Sequence, residues 1–209
     1  MYEKYMKRII DICIAILFIP FYILIFTIIA PMIYFDDKGS IFYNAERLGK
    51  NGKIFKMYKF RTMKINSEDI RNEDGSTYNG ESDPRVTKIG RVLRKTSIDE
   101  IPQILNILKG DMSLVGPRPD LPEHIKQYKG NETRKLEVRP GITGYNQAYY
   151  RNSIEWKERI KNDIYYIDNI SFIIDVKIVL KTILTVFKHE GVYISKKTDK
   201  KEEKEYANK

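Results

Sequence analysis

The chain has 209 residues, of which 37 are Lys or Arg and 28 are Asp or Glu, so its formal net charge is +9. This length accommodates one modest domain and an anchor but no second full domain, and the charge favours an anionic membrane, a nucleotide or a nucleic acid as partner. The only cysteine, Cys13, excludes a disulfide framework or a cysteine-based metal site, and the two histidines, His124 and His189, lack zinc-ligand spacing.

The first predicted element is an apolar segment, residues 12–35, which contains no charged side chain. As a straight helix it would extend about 36 Å, enough to cross a hydrocarbon core of about 30 Å. Pro20 lies near its middle and predicts a kink or break. Basic residues flank both ends, so the positive-inside rule does not place the ends on opposite sides, and no small-residue cleavage site indicates a signal peptide. We therefore predict a re-entrant membrane anchor over residues 1–36, broken at Pro20.

Two short strands are predicted after the anchor, at residues 40–43 and 54–61, around a glycine-containing turn. Alternation along the second strand places Lys59 and Arg61 on the same face. These side chains form either a solvated strand face or a basic wall of an active site. Residues 66–84 are rich in polar residues and glycine, and this composition predicts a mobile loop.

Two adjacent carboxylates, Asp99 and Glu100, follow a basic segment. Its cationic residues are Lys88, Arg91, Arg94 and Lys95. Apolar residues at three-and-four spacing predict a helix that ends at Gly110, and Ser97 with Glu100 fits a capping box that places Asp99 in the first turn. Such acids often only satisfy free backbone amides and the helix dipole. Alternatively, one carboxylate is a nucleophile or metal ligand, held ionised beside basic groups that receive phosphate.

Arg118 lies between Pro117 and Pro119, and the prolines predict a rigid turn that presents its side chain. A rigidly held guanidinium suits a phosphate or a planar base. A second tight turn is predicted at residues 139–144. Its glycines, Gly141 and Gly144, can adopt a positive φ or allow close backbone approach.

Helical segments are predicted in the rest of the chain, at residues 121–128, 131–136, 154–168 and 171–189. The last has an apolar face and a lysine stripe, so it either packs in the core or lies in a membrane interface. The charged tail, residues 195–209, is expected to be disordered. The predicted fold is α+β. The helix-break-helix anchor precedes a compact, mostly helical domain over residues 37–194, with short strands and amphipathic interfacial helices.

Several of these motifs together resemble the bacterial sugar transferases, the small monotopic phosphoglycosyl transferases that begin lipid-linked glycan assembly. The resemblance is carried, in order, by residues 55–63, 83–119 and 138–144, and it extends over most of the chain. The family has a serine before the proline of its re-entrant helix, where this chain has Ile19.

The resemblance implies a two-step reaction at the cytoplasmic face of the bacterial inner membrane. Asp99 would be the catalytic nucleophile and a metal ligand, with Mg²⁺ as cofactor, and Glu100 would assist in metal or proton handling. A UDP-sugar would give an aspartyl-phosphosugar and UMP, and polyprenyl phosphate would then accept the sugar phosphate. Membrane lipid is a further expected partner and nucleic acid is not. Substrate contacts are expected from Lys59, Arg61, Arg94, Arg118 and Arg151.

Three other interpretations use parts of the same pattern. A one-step transferase without a covalent intermediate could use the same residues. A non-catalytic membrane-anchored scaffold would need only the apolar segment and a basic surface. A membrane-anchored nucleic-acid-binding protein would use the positive charge, but the sequence shows neither a helix-turn-helix pattern nor a ribonucleoprotein-type aromatic motif.

Overall fold

The computed structural model describes residues 2–70, 78, 80, 83–150 and 154–187. Several predictions fall outside these residues. They concern the substrate contact of Arg151, most of the loop predicted between residues 66 and 84, and the charged tail from residue 195.

A long apolar helix, α1 (Lys7–Asp37), follows a π-helical turn at Tyr2–Met6. The helix continues through Pro20 and Pro31 as one element, so the predicted re-entrant break at Pro20 is not confirmed. A proline removes one backbone donor, and the turns on either side retain their own hydrogen bonds. Within the described residues this is the one helix long and apolar enough to cross a membrane, and its path relative to a membrane stays a prediction.

A β-hairpin follows the anchor helix. Strands β1 (Phe42–Leu48) and β2 (Ile54–Phe60) pair in antiparallel register, with Phe42 opposite Phe60. Both predicted strands are therefore confirmed, and the first is longer and lies further along the chain than expected. Side chains alternate at the start of β2, where Phe55 and Met57 are buried. This hairpin supplies one wall of the domain.

Three short helical segments form the centre of the domain: α2 (Lys88–Thr96), a 3₁₀ helix (Ile98–Gln103) and α3 (Ile104–Lys109). Gly110 ends α3 with a φ of 89°, as its predicted capping role requires. The 3₁₀ helix packs against β2, and α3 packs against α1. The centre of the domain therefore connects the hairpin to the anchor.

A second, parallel strand pair joins β3 (Ser113–Val115) to β4 (Gly141–Thr143). A Cβ on Gly141 would lie 2.1 Å from the backbone nitrogen of Gly116, and a Cβ on Gly144 would lie 2.1 Å from its carbonyl oxygen. Neither Gly141 nor Gly144 is among the described glycines with a positive φ. Close backbone approach therefore explains why both positions are glycine. The close contact of Gly116 with Gly141 and Gly144 holds the start of the turn that carries Arg118.

The structure describes five further helical segments after β3, four of them at predicted positions, whereas the one at Tyr145–Tyr149 was not predicted. They are 3₁₀ helices at Pro122–Gln127 and Gly130–Glu137, and helices α4 (Tyr145–Tyr149), α5 (Trp156–Asp168) and α6 (Phe172–Phe187). Helix α6 turns Asp175 and Ile178 inward. Six of its large apolar side chains are exposed, namely Phe172, Ile173, Val176, Leu180, Ile183 and Leu184. This exposed apolar face agrees with the interfacial interpretation of the helix rather than with core packing.

Both halves of α1 pack against this domain. Ala15 belongs to a core that includes Ile107 of α3, whereas Ile33 packs with Phe60 and Leu93. Burial of these apolar side chains fixes the anchor along the domain instead of leaving it as a separate span.

Polar contacts tie the start of α1 to the domain. Asp11 is buried and accepts hydrogen bonds from the Ser113 hydroxyl (2.8 Å) and the Leu114 backbone amide (3.0 Å). Because buried carboxylates need such donors, this contact determines which face of the helix meets the domain.

Asn106 connects α3 to the hairpin. Its side chain is fully buried, donates to the Lys56 carbonyl (2.8 Å) and accepts from the Tyr58 backbone amide (2.9 Å). The amide group therefore satisfies two backbone groups of β2, which holds Lys59 in register with the helices that follow.

We predict that Asn106→Ala destabilises the protein by roughly 2–4 kcal/mol, because two buried backbone groups lose their partner. Asn44→Ala, at an exposed position of β1, is the control and should change stability by less than about 0.5 kcal/mol. Chemical unfolding in detergent micelles measures both, and equal stabilities for the two variants would contradict the assigned role.

Candidate active site

The two adjacent carboxylates lie just after a sharp turn at Ser97. This residue ends α2 with φ 59° and ψ 16°, in the left-handed region. Its side chain does not cap the next helix, and Glu100 binds basic side chains instead, so the predicted capping box is wrong. The reason is that an N-cap residue needs an extended backbone, whereas Ser97 is left-handed and a 3₁₀ helix follows it. Asp99 and Glu100 occupy the first turn of that 3₁₀ helix.

Lys59 bridges the two carboxylates. Its Nζ lies 2.8 Å from Oδ2 of Asp99 and 3.2 Å from Oε1 of Glu100. Arg118 reaches the same Oε1 of Glu100 with Nη2 at 3.1 Å. The Asp99 side chain is only 4% exposed, whereas that of Glu100 is 20% exposed. The structure thus brings together four of the predicted site residues in one charged cluster.

The cluster gives the two carboxylates different proton affinities. Burial raises the pKa of Asp99, and the charge of Lys59 opposes that effect. Burial acts in the same direction on Glu100, but Lys59 and Arg118 outweigh it and lower the pKa of Glu100 to about 2. Burial would lower the pKa of Lys59, yet the two carboxylates outweigh burial and raise it. Glu100 is therefore a fixed anion, while the ionisation of Asp99 depends on Lys59.

The turn that carries Arg118 is held in place by hydrogen bonds of Asp120, on its C-terminal side. The Arg118 side chain is 50% exposed, so it can reach a ligand. Asp120 follows two residues later and accepts hydrogen bonds through Oδ2 from Tyr128 (2.6 Å) and Lys135 (2.7 Å). The Asp120 carbonyl also accepts from the Leu48 amide (2.9 Å). These bonds agree with the predicted rigid presentation of Arg118.

The other predicted basic residues have different positions. Arg94 donates to the Thr62 hydroxyl (3.0 Å), and its charge also opposes the effect of burial on the pKa of Asp99. Arg61 instead binds α1, with Asp37 at 3.3 Å and the Ile33 carbonyl at 3.4 Å. The prediction that Arg61 joins Lys59 in the active site is therefore not supported, because β2 ends at Phe60 and the alternation does not continue. Arg151 lies outside the described residues.

Sequence reasoning missed the polar residues that support the site. Lys135 is buried between Asp120 and Asp163, at 2.7 and 3.0 Å. Asp83 and Arg85 form another buried ion pair, at 2.7 Å. The spacing of Asp120, Lys135 and Asp163 contains no periodic signal, because the tertiary fold alone brings them together.

The carboxylate pair suits one mode of magnesium binding. Across the ranges that the structure covers, no group of three or more His, Cys, Asp or Glu side chains could hold a metal by itself. Magnesium, however, commonly uses one or two protein carboxylates together with substrate phosphates and water. Asp99 and Glu100 fit that mode. The described ion pairs engage Oδ2 of Asp99 and Oε1 of Glu100, and they involve neither Oδ1 of Asp99 nor Oε2 of Glu100.

The buried carboxylate of Asp99 and its neighbour Glu100 are held by cationic side chains in a chain that also has a long apolar helix, and this combination suits an enzyme that acts on an anionic substrate at a membrane. The chain belongs to the bacterial sugar transferase family, whose model matches residues 2–189. It is 42% identical over 189 residues to the Bacillus subtilis protein named "Uncharacterized sugar transferase EpsL", with 90% of each chain covered.

Two longer relatives have more specific names. The chain is 36% identical to the undecaprenyl-phosphate galactose phosphotransferase of Salmonella typhimurium, with 91% of this chain and 42% of the relative covered. It is 38% identical to the UDP-N-acetylgalactosamine-undecaprenyl-phosphate N-acetylgalactosaminephosphotransferase of Aeromonas hydrophila, with 87% and 44% covered. The chain therefore spans less than half the length of these two proteins.

The low pKa of Glu100 predicts a loss of stability in acid. Its folded value of about 2 lies below the ordinary value of 4.5, so its stabilising contribution is complete above about pH 5 and is lost as the pH falls toward 2. In Glu100→Gln, the decrease in unfolding free energy between pH 5 and pH 3 should be smaller than in wild type. Chemical unfolding at both pH values measures it. Glu46→Gln, at an exposed position, should behave as wild type, and an unchanged slope in Glu100→Gln would refute the prediction.

Proposed function

We propose that this protein transfers a sugar 1-phosphate from a UDP-sugar to polyprenyl phosphate at the cytoplasmic face of the bacterial inner membrane. The observation that carries the proposal is the pair Asp99 and Glu100, held by Lys59 and Arg118. The names of the Salmonella and Aeromonas relatives support a phosphorylated sugar as the transferred group and undecaprenyl phosphate as the lipid carrier.

In the first step, a carboxylate oxygen of Asp99 attacks the β-phosphorus of the UDP-sugar. The bond from this phosphorus to the oxygen that bridges to the α-phosphate breaks, and UMP leaves with that oxygen. Two unit charges 4 Å apart repel by about 4 kcal/mol in a protein-like medium, so an anionic nucleophile and an anionic donor need compensating cations. Lys59 keeps Asp99 ionised, and the half-exposed Arg118 binds the diphosphate.

In the second step, a phosphate oxygen of polyprenyl phosphate attacks the phosphorus on Asp99. The bond to Asp99 breaks, the carboxylate is restored, and the product is a polyprenyl-diphosphate sugar. Asp99 and Glu100 would hold Mg²⁺, which when bound supplies positive charge that offsets the diphosphate. Glu100 also orients Lys59 and Arg118 through the ion pairs that it forms with both.

The lipid acceptor requires the site to lie at the membrane surface. Many apolar side chains of helix α1 are exposed, and the outer face of α6 is also apolar. Lys177 and Lys181 are exposed on α6, where their ammonium groups can reach lipid headgroups. The two helices are linked where Lys7 at the start of α1 pairs with Asp175 of α6. We place both helices in contact with the bilayer on these grounds.

The central test is UMP release from a panel of UDP-sugars by purified protein with polyprenyl phosphate and Mg²⁺. Asp99→Asn should lower the rate at least 10³-fold, because an amide cannot replace the carboxylate nucleophile. Removal of Mg²⁺ with a chelator should also abolish release. Asp168→Asn is the matched control, since Asp168 pairs with Arg134 on the surface. Full turnover by Asp99→Asn would refute the proposal.

Trapping separates the two-step reaction from a one-step transfer. Incubation with a UDP-sugar labelled in the sugar, without acceptor, should leave label on a peptide that contains Asp99, and mass spectrometry should locate it there. Turnover without such an adduct favours direct transfer. A scaffold or a nucleic-acid-binding protein would release no UMP under any of these conditions.

A further inference from the structure

A second charged site lies near the end of α3 that is remote from the catalytic carboxylates. An open cleft is formed by the start of α1, the tip of the β-hairpin, and neighbouring segments around Arg139. Its lining includes four cationic residues, Lys7, Arg8, Lys50 and Arg139, and two acidic ones, Glu3 and Asp11. Val115, Val138 and Ile170 contribute apolar surface. Because Lys7 pairs with Asp175, the rest of the lining carries three cations against two acids, and the cleft is amphipathic with a small excess of positive charge.

Two of these cations are arginines held close together. Nη1 of Arg8 donates to the Ile107 carbonyl (2.7 Å), and Nε of Arg139 donates to the Gly110 carbonyl (2.9 Å). Burial and the neighbouring charge of Arg139 lower the pKa of Arg8, so the two guanidinium groups repel each other. An anion between them would relieve that repulsion.

The acidic residues offset only part of this charge. Asp11 accepts hydrogen bonds from Ser113 and Leu114 and also attracts the guanidinium group of Arg8, while Glu3 lies at an exposed position. The carbonyls at the end of α3 account for the positions of Arg8 and Arg139. They do not account for Lys50, which is exposed at the hairpin tip and lines the same cleft.

The cleft lies at the level where the apolar surface of the anchor begins. Ile9 is 61% exposed and directly follows Arg8. An exposed apolar side chain beside a basic cluster is the pattern found at the boundary between acyl chains and headgroups. The 3₁₀ helix and α3 together rise roughly 20 Å along their axes. The cleft is thus separated from Asp99 and does not serve the transfer reaction directly.

We propose that this cleft binds the phosphate group of an anionic phospholipid of the surrounding bilayer and so fixes the depth of α1. The phosphate lies between Arg8 and Arg139, Lys50 contacts it from the hairpin, and the acyl chains extend along α1. This site is additional to the proposed transferase function and needs no donor sugar or acceptor.

The test is native mass spectrometry of the full chain in non-ionic detergent micelles, titrated with short-chain phosphatidylglycerol. Wild type should retain one molecule, and Lys50→Gln should weaken retention at least fivefold. Lys50→Gln combined with Arg139→Gln should weaken it further. Lys53→Gln is the matched control, because Lys53 is exposed on the same hairpin but does not line the cleft. This control should retain the lipid as wild type does.

Two competitors identify the ligand. Phosphatidylcholine of the same chain length should be retained much less, because its headgroup carries no net charge. Inorganic phosphate at the lipid concentration should not displace phosphatidylglycerol. Equal retention of the two lipids, or equal behaviour of Lys50→Gln and Lys53→Gln, would overturn the proposal. Displacement by inorganic phosphate would instead assign the cleft to free phosphate and overturn the lipid assignment.

Discussion

The arrangement of the site depends on the ion pair between Lys59 and a carboxylate that is almost removed from water. Asp99 is buried, and burial alone favours its neutral form. Lys59 opposes that tendency at 2.8 Å, and Glu100 shares the same ammonium group. Poor hydration of such a carboxylate would favour the nucleophilic role that we propose for Asp99. The neighbouring elements are arranged so that this contact is maintained.

Each partner of the carboxylate pair is held by a different long-range contact. Asn106 binds the backbone of β2 on both sides of Met57 and so positions the strand that carries Lys59. The contact of Gly116 with the backbone near Gly141 holds the start of the turn that carries Arg118. Rigid backbone supports of this kind reduce the entropy lost when a charged substrate is bound.

The anchor is part of the domain rather than an attachment to it. Asp11 and Asp37 bind the domain near the two ends of α1, and apolar side chains between them enter its core. The outward face of the helix stays apolar. The depth of α1 in a bilayer would therefore set the height of the carboxylates above the lipid. A phospholipid bound beside Arg8 would also influence the depth of α1 in the bilayer.

The sequence by itself determined the apolar anchor segment, the strand pair, the helical segments and the rigid presentation of Arg118. These features follow from local periodicity and from the restricted backbones of proline and glycine, so short stretches contain the information. The tertiary structure alone decided that α1 continues through Pro20, that Ser97 is left-handed, and that Lys59 reaches Asp99 whereas Arg61 reaches Asp37. The physical reason is that an ion pair joins residues far apart in the chain, and only the packing of whole elements determines which opposite charge lies within reach.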